Sequence, residues 1–153
     1  MEAAVVEARK GTIEIFSPQN RDDNASLNKL VANANVKETA IRIDVPTESI
    51  DEYFASHPKL DASKVTYMKV DVQGFELGVL KGAKGVLQKA KKVQVEAEFD
   101  IHLMNLAGID PMEEIQFMLA LGFKVYTDFS GSSERKDYQD IAAGFIGDLY
   151  YRR

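Results

Sequence analysis

The pattern that most constrains the fold is a strand, a helix and a second strand in the middle of the chain. The segment VTYMKVDV, residues 65–72, is nearly continuous in apolar and β-branched residues, which predicts a strand buried on both faces of a parallel sheet. A helix is predicted from Phe75 to Ala90, and KKVQVEAEF, residues 91–99, predicts the second strand. Alternation of this kind predicts an α/β layered sheet with right-handed crossovers.

The rest of the chain predicts further strands and helices around this unit. Strands are predicted at residues 11–16, 39–45, 123–129 and 140–152. Helices are predicted at residues 27–38, 48–57 and 111–121, and a polar loop at residues 130–139. We expect the last strand to run antiparallel, because no helix separates it from its predecessor. A chain of 153 residues predicts one domain, over residues 1–153.

The composition excludes several classes of site. Without cysteine, the chain has no disulfide, no thiolate zinc site and no cysteine nucleophile. A net charge of -5 argues against nucleic acid or an anionic membrane as a partner. No apolar run approaches the roughly 18 residues of a transmembrane helix. The start, MEAAVVEARKG, lacks the layout of a signal peptide, so we expect a cytoplasmic protein.

Polar residues gather where the two central strands end. Ligands of open α/β sheets bind at the carboxyl ends of the strands. After the first strand come Asp71, Gln73, Gly74 and Glu76. On one face of the second strand, by its period of two, lie Glu96, Glu98 and Asp100. If the strands are neighbours, Asp71 and Glu96 face the same crevice.

This arrangement is compatible with three interpretations. Paired carboxylates raise each other's pKa towards neutrality, which suits a general base. They also suit a divalent cation or a cationic ligand. The third interpretation is an exposed strand face of solvated acids, and it stays open for Glu98 and Asp100. His102, just beyond the second strand, is either a proton acceptor at the rim or a residue that hydrogen-bonds its own loop.

The predicted helix contains more glycine than a helix normally tolerates. Gly74, Gly78, Gly82 and Gly85 follow one another at spacings that trace one stripe of the helix. Each interior glycine costs about 1 kcal/mol relative to alanine. Such a stripe lets another element approach the backbone closely. For Gly78 and Gly85 the sequence leaves two explanations open, a close contact or a weak helix.

The segment YMKVDVQGFELGVLKGAKGVLQKAKKVQVEAEFD resembles the FkbM-type methyltransferases. Matches to the family pattern are Lys69, Asp71, Gly74, Glu76, Leu80, Lys81, Gly82, Ala83, Leu87 and Glu96. The spacing from Asp71 to Glu96 also matches, whereas Gln73 replaces a common glutamate and so removes one negative charge.

The resemblance implies a function and a set of site residues. Proteins of this family use S-adenosylmethionine and typically methylate oxygen on sugars or polyketide-like acceptors. The implied catalytic residues are Asp71, Glu96 and Glu76. The implied cofactor contacts are Asp71, Gln73 and Gly74. The implied substrate contacts are His102 and Glu98, and no metal is implied.

The front of the family domain has no counterpart here. The family's cofactor motif is a strand with a glycine-rich loop, and no glycine-rich turn precedes Gly11. The resemblance therefore implies a Rossmann-like class I methyltransferase sheet that is N-terminally truncated, with its first core strands missing. We expect this chain alone to bind S-adenosylmethionine weakly or not at all. We also expect a homodimer or a partner chain to cover the exposed sheet edge. The alternative is a non-catalytic α/β interaction module or a fragment completed by a partner chain.

Overall fold

The structure is a computed structural model that describes residues 11–18 and 40–153, with side chains from Asp44 onward. The helix expected at 27–38 lies outside the described residues. The strands expected at 11–16 and 39–45 are present as β1 (Gly11–Pro18) and β2 (Ala40–Thr47), which pair antiparallel in a sheet of their own. Of the helices in the described part of the chain, none has the length and apolar character needed to cross a membrane.

The main sheet has five strands in the order β3-β4-β7-β5-β6. Its members are β3 (Tyr67–Val70), β4 (Gln94–Asp100), β5 (Lys124–Tyr126), β6 (Glu134–Arg135) and β7 (Ile146–Arg152). Strands β3 and β4 are parallel, whereas β7 lies between β4 and β5 and is antiparallel to both. The α/β class and the antiparallel last strand are thus confirmed, in a sheet of mixed direction.

Within the described residues, six α-helices connect these strands. They are α1 (Ile50–Ser56), α2 (Glu76–Gly82), α3 (Lys84–Lys89), α4 (Ile101–Leu106), α5 (Pro111–Ala120) and α6 (Tyr138–Gly144). A 3-10 turn spans Ala62–Lys64. Helix α4 starts directly after β4, because the carboxylate of Asp100 accepts hydrogen bonds from the N–H groups of His102 and Leu103.

The end of the chain differs from the prediction. The loop expected at 130–139 contains β6, and the strand expected at 140–152 begins with part of α6. Helix α6 buries Ile141 against the core, and the extended backbone of Phe145 then leads into β7. The apolar residues of this segment fit a helix turn as well as a strand, so periodicity could not separate the two.

The core lies on one face of the main sheet. Val95, Ala97 and Phe99 of β4 are fully buried there, while the alternate residues of this strand are half-buried on the opposite face. The expectation that the first central strand is buried on both faces is wrong. Tyr67 is 46% exposed and Lys69 is exposed, because β3 is the outermost strand of the described sheet.

The helix expected from Phe75 to Ala90 is two helices, broken at Ala83. The carboxylate of Asp51 in α1 accepts hydrogen bonds from the N–H groups of Gly85 (2.7 Å) and Val86 (2.8 Å) at the start of α3. This carboxylate caps α3 from another helix and satisfies two of its free donors. Local sequence could not reveal it, since the cap comes from 34 residues away.

The two glycines that the sequence left unexplained have different roles. A Cβ added at Gly85 would lie 3.1 Å from both carboxylate oxygens of Asp51, so glycine permits this close contact. A Cβ added at Gly78 would meet nothing within 4 Å. No packing contact therefore requires glycine at this position, where it lowers the stability of α2.

We expect alanine substitutions to separate these roles. Gly78→Ala should raise the free energy of unfolding by about 0.5–1 kcal/mol, because alanine favours the helix. Gly85→Ala should be less stable than Gly78→Ala by about 1 kcal/mol or more, because its Cβ would press on the capping carboxylate. Urea unfolding followed by circular dichroism measures both variants. Equal stabilisation by the two would contradict the cap at Asp51.

Candidate functional site

The parallel pairing of β3 and β4 brings the carboxyl ends of these strands together. Lys69 lies opposite Glu96 in the register of the two strands. The ammonium nitrogen of Lys69 lies 3.7 Å from a carboxylate oxygen of Asp71 and 3.9 Å from one of Glu96. Asp71 and Glu96 therefore lie close enough to share one cation, as expected if the two strands are neighbours. We call Lys69, Asp71, Gln73, Glu96 and Glu98 the strand-end cluster.

Glu96 has a second partner on β3. The hydroxyl of Tyr67 donates a hydrogen bond of 2.6 Å to its carboxylate. This hydrogen bond raises the pKa of Tyr67 to about 12, so the phenol stays protonated and remains a donor. Glu96 is thus held by a neutral donor on one side and by the Lys69 ammonium on the other.

Glu98 is held by an amide and lies next to other acids. The side-chain nitrogen of Gln73 donates to Glu98 at 3.0 Å and lies 3.4 Å from a carboxylate oxygen of Asp71. Asp148 of β7 is the direct cross-strand partner of Glu98. Partial burial, followed by the negative charges of Asp71 and other nearby acids, raises the pKa of Glu98 from 4.5 to about 7.

Glu76 lies beneath the turn that follows β3. It is 1% exposed, and one of its carboxylate oxygens accepts hydrogen bonds from the N–H groups of Val72 (2.9 Å) and Gly74 (3.2 Å). Burial raises its pKa. The structure therefore places Glu76 inside the protein, where it holds the turn, and not beside the exposed carboxylates.

The turn itself has an unusual backbone. Gln73 has φ +56° and Gly74 has φ +96°. A Cβ at Gly74 would lie 2.8 Å from the carbonyl carbon of Leu103, so glycine is required where the turn meets α4. For a residue other than glycine the left-handed conformation costs about 1 kcal/mol or more, and such strain is concentrated at functional sites.

The remaining predicted residues lie at the start of α4. Asp100 accepts hydrogen bonds from two N–H groups of α4, which gives it a structural role. His102 is exposed in the first turn, and its backbone N–H, not its ring, is the group that contacts Asp100.

Sequence reasoning missed aromatic and acidic residues on the same face of the sheet. The Phe129 ring lies 6.4 Å from that of Tyr67 and 5.9 Å from that of Tyr150, and Phe129 is 61% exposed. Tyr150 and Asp148 of β7 lie opposite Glu96 and Glu98. The period of two in β7 places Tyr150 and Asp148 on one face, but the register that pairs them with β4 is visible only in three dimensions.

Cavity size does not identify this site. A cavity of about 620 Å³ lies elsewhere, between α1 and α3, where Asp51 and Lys89 are among its lining residues. Among the described residues, no three or more histidine, cysteine or acidic side chains are arranged to hold a metal ion. The strand-end cluster is distinguished by its chemistry and by its place in the sheet.

A buried acidic network extends from Glu76 into the core. Glu114 of α5 is fully buried and accepts a hydrogen bond of 2.8 Å from the hydroxyl of Tyr151, which is also fully buried. Burial raises the pKa of Glu114 from 4.5 to about 8, and the negative charge of Glu76 adds to this rise. Burial, together with the charge of Glu114, also raises the pKa of Tyr151. Glu114 and Tyr151 therefore favour their neutral forms.

The fold and the strand-end cluster define an α/β protein with a polar site at the carboxyl ends of a parallel strand pair. The model of the methyltransferase FkbM domain matches residues 3–125, well over half of the chain. The chain therefore belongs to the FkbM methyltransferase family, which confirms the resemblance seen in the sequence. No match was found among curated proteins or among solved structures.

The buried network predicts a pH dependence of stability. Because the pKa of Glu114 is raised from 4.5 to about 8, its contribution to stability is complete below about pH 4.5 and is lost as the pH rises through about 8. Glu114→Gln keeps an acceptor for Tyr151 but cannot ionise. We expect its free energy of unfolding to fall less between pH 5 and pH 8 than that of the wild type.

Urea unfolding at several pH values measures this difference. Glu113→Gln is the matched control, because Glu113 is the neighbouring residue, is exposed, and pairs with Lys81 at the surface. Parallel pH profiles for wild type and Glu114→Gln would contradict the buried neutral acid.

Proposed function

We propose that this protein is an S-adenosylmethionine-dependent methyltransferase of FkbM type that methylates a hydroxyl group of a sugar or another small molecule. The observation that carries this proposal is the strand-end cluster, in a chain that belongs to the FkbM methyltransferase family. Its carboxylates lie at the carboxyl ends of adjacent parallel strands, where α/β enzymes bind their ligands.

The donor set fits the cationic end of the proposed cofactor. When bound, S-adenosylmethionine supplies a methyl group on a positively charged sulfur and carries an ammonium group nearby. Asp71 is the exposed carboxylate next to the turn, and the Gln73 side chain and Gly74 backbone complete the contacts that we assign to the cofactor. The tight packing of Gly74 on Leu103 fixes the position of this turn.

The other predicted residues have distinct roles in this proposal. Glu96, held by Tyr67 and Lys69, orients the acceptor hydroxyl, and His102 contacts the acceptor at the rim. The burial of Glu76 supports a positioning role for it, in place of the catalytic contact inferred from the family. We further propose that residues 1–153 form one domain with a Rossmann-like sheet of the class I methyltransferase kind.

Replacement of Asp71 tests this function. Transfer of a labelled methyl group from S-adenosylmethionine to a panel of methyl glycosides is measured at millimolar cofactor, because we expect weak binding by this chain alone. Asp71→Asn should lower the transfer rate at least about tenfold, because it removes a charge beside the reacting group. Glu113→Gln, on α5 and paired with Lys81 at the surface, should leave the rate unchanged. Absence of transfer by the wild-type chain would contradict the proposal.

The outer edge of β3 favours a second candidate function, that of an α/β module that binds another chain. The carbonyl of Thr66 accepts a hydrogen bond from the N–H group of Gln94 in β4. Backbone groups of successive strand residues point to opposite sides, so those of Tyr67 and Lys69 point away from β4. Within the described residues no strand pairs with this side of β3. Such an edge is a template for another strand.

An apolar groove adjoins this edge. It has a volume of about 460 Å³, and its apolar lining residues are Ile50, Tyr53, Phe54, Val65, Tyr67, Met68 and Val86. A strand added at β3 would place alternate side chains into this groove. We propose that a second copy of this chain covers the edge. In the alternative function the protein is an α/β interaction module without catalysis, and its partner is a different chain.

Light scattering tests the proposed dimer. We expect a molar mass of twice the 17.1 kDa of the chain. Tyr67→Pro should return it to a monomer, because proline removes the outward N–H group and blocks strand pairing. Tyr67→Thr is the matched control, since it loses the same ring but keeps the N–H group. A wild-type monomer that binds S-adenosylmethionine with micromolar affinity would contradict both the dimer and the weak binding expected of the chain alone.

A further inference from the structure

We propose that Glu98 is the catalytic base that takes the proton from the hydroxyl group being methylated, and that Gln73 is the positioning residue that holds its carboxylate. This inference rests on the proposed function and deepens it. It assigns to Glu98 a role that the family resemblance distributes among Asp71, Glu96 and Glu76.

The other carboxylates near the turn are already engaged. Glu96 and Asp71 lie beside the Lys69 ammonium, so each of these carboxylates already has an ion-pair partner. Glu96 also accepts a hydrogen bond from Tyr67. Glu76 is buried and bonded to two backbone N–H groups. A base must be within reach of the hydroxyl that it deprotonates, and Glu76 is not accessible to a substrate.

The acids on either side of Glu98 are less suited to the role. Asp100 caps α4 through two backbone N–H groups. Asp148 is exposed and lies on β7, on the far side of Glu98 from the turn after β3. Glu98 lies between Asp148, its cross-strand partner, and Gln73 of the turn.

The surroundings of Glu98 make it a proton acceptor near neutral pH. It is half-buried on the open face of β4, and no lysine, arginine or histidine of the described chain lies within ion-pair distance of its carboxylate. The ionisable groups that act on it are Asp71, Glu76, Asp100 and Asp148, all acidic. Together with burial they raise its pKa to about 7, close to the value that general-base catalysis favours.

Gln73 orients the carboxylate of Glu98. Its left-handed backbone, with φ +56°, directs the side chain over the strand ends, where its amide nitrogen lies 3.0 Å from Glu98 and 3.4 Å from Asp71. A neutral amide holds Glu98 without neutralising it, unlike the lysine that lies beside Glu96 and Asp71. The amide therefore fixes the orientation of Glu98 and preserves its basicity.

The proposed step conserves atoms and charge. As the acceptor oxygen forms its bond to the methyl carbon, and the cofactor sulfur keeps the electron pair of the bond that breaks, the Glu98 carboxylate takes the hydroxyl proton. The step consumes the positive charge on sulfur and one negative charge on Glu98. The neutral carboxylic acid then returns its proton to water.

Two measurements test the assignment. The first is the pH titration of the glutamate side-chain carboxyl resonances by NMR, with Glu98→Gln used to assign the signal. We expect Glu98 to titrate near pH 7, whereas a titration below pH 5 would overturn the proposal. Gln73→Glu adds a negative charge and should move this titration to higher pH.

The second measurement is the rate of methyl transfer from labelled S-adenosylmethionine to methyl glycosides as a function of pH. In the wild type, the rate should rise with pH through about 7, as Glu98 loses its proton. Glu98→Gln should lower the rate about 100-fold or more and abolish this rise, while cofactor affinity stays within about twofold. Glu98→Asp should recover part of the rate, and Gln73→Leu should lower it while keeping a dependence on pH.

The outcomes separate this proposal from the function on which it rests. A wild-type chain that transfers methyl groups, with Glu98→Gln equally active, would overturn the role of Glu98 and leave the methyltransferase function standing. A wild-type chain without any transfer would overturn the function and the base together. The control Glu113→Gln should match the wild type in rate and in pH profile.

Discussion

The parallel pairing of β3 with β4 is the constraint on which the rest of the site depends. It places Lys69 opposite Glu96 and lets one ammonium hold two carboxylates from different strands. The turn after β3 then needs an internal support, because no strand of the described residues pairs with its backbone N–H groups. The buried carboxylate of Glu76 supplies that support.

Acidic side chains have different electrostatic surroundings on the two faces of the sheet. On the buried face, exclusion of water raises the pKa of Glu76 and makes Glu114 and Tyr151 favour their neutral forms. On the open face, Glu98 lies among other acids and its pKa is raised, whereas Glu96 and Asp71 lie beside the Lys69 ammonium. A sheet that served stability alone would gain by placing a cation opposite Glu98 instead of Asp148.

Much of the secondary structure and the likeness to the FkbM family could be read from the sequence. The period of two in β4 correctly placed Glu96, Glu98 and Asp100 on one face, opposite the buried Val95, Ala97 and Phe99. The helix expected from Phe75 to Ala90 was wrong because Asp51, distant in sequence, caps a new helix after Ala83. The short helices α4 and α6 were missed because helices of six and seven residues, less than two turns each, leave little periodicity to detect.

The sequence by itself determined that an acidic turn follows an apolar strand and that a second acidic strand comes after one helical segment, a pattern that identifies the family. Only the tertiary structure decided what each carboxylate does. Burial separates Glu76 from the exposed acids, and the register of three strands gives Glu96 a lysine and a tyrosine but gives Glu98 an amide and an opposing acid. The reason is physical: the charge state of an acid depends on its partners and on water, and both are determined by residues distant in sequence.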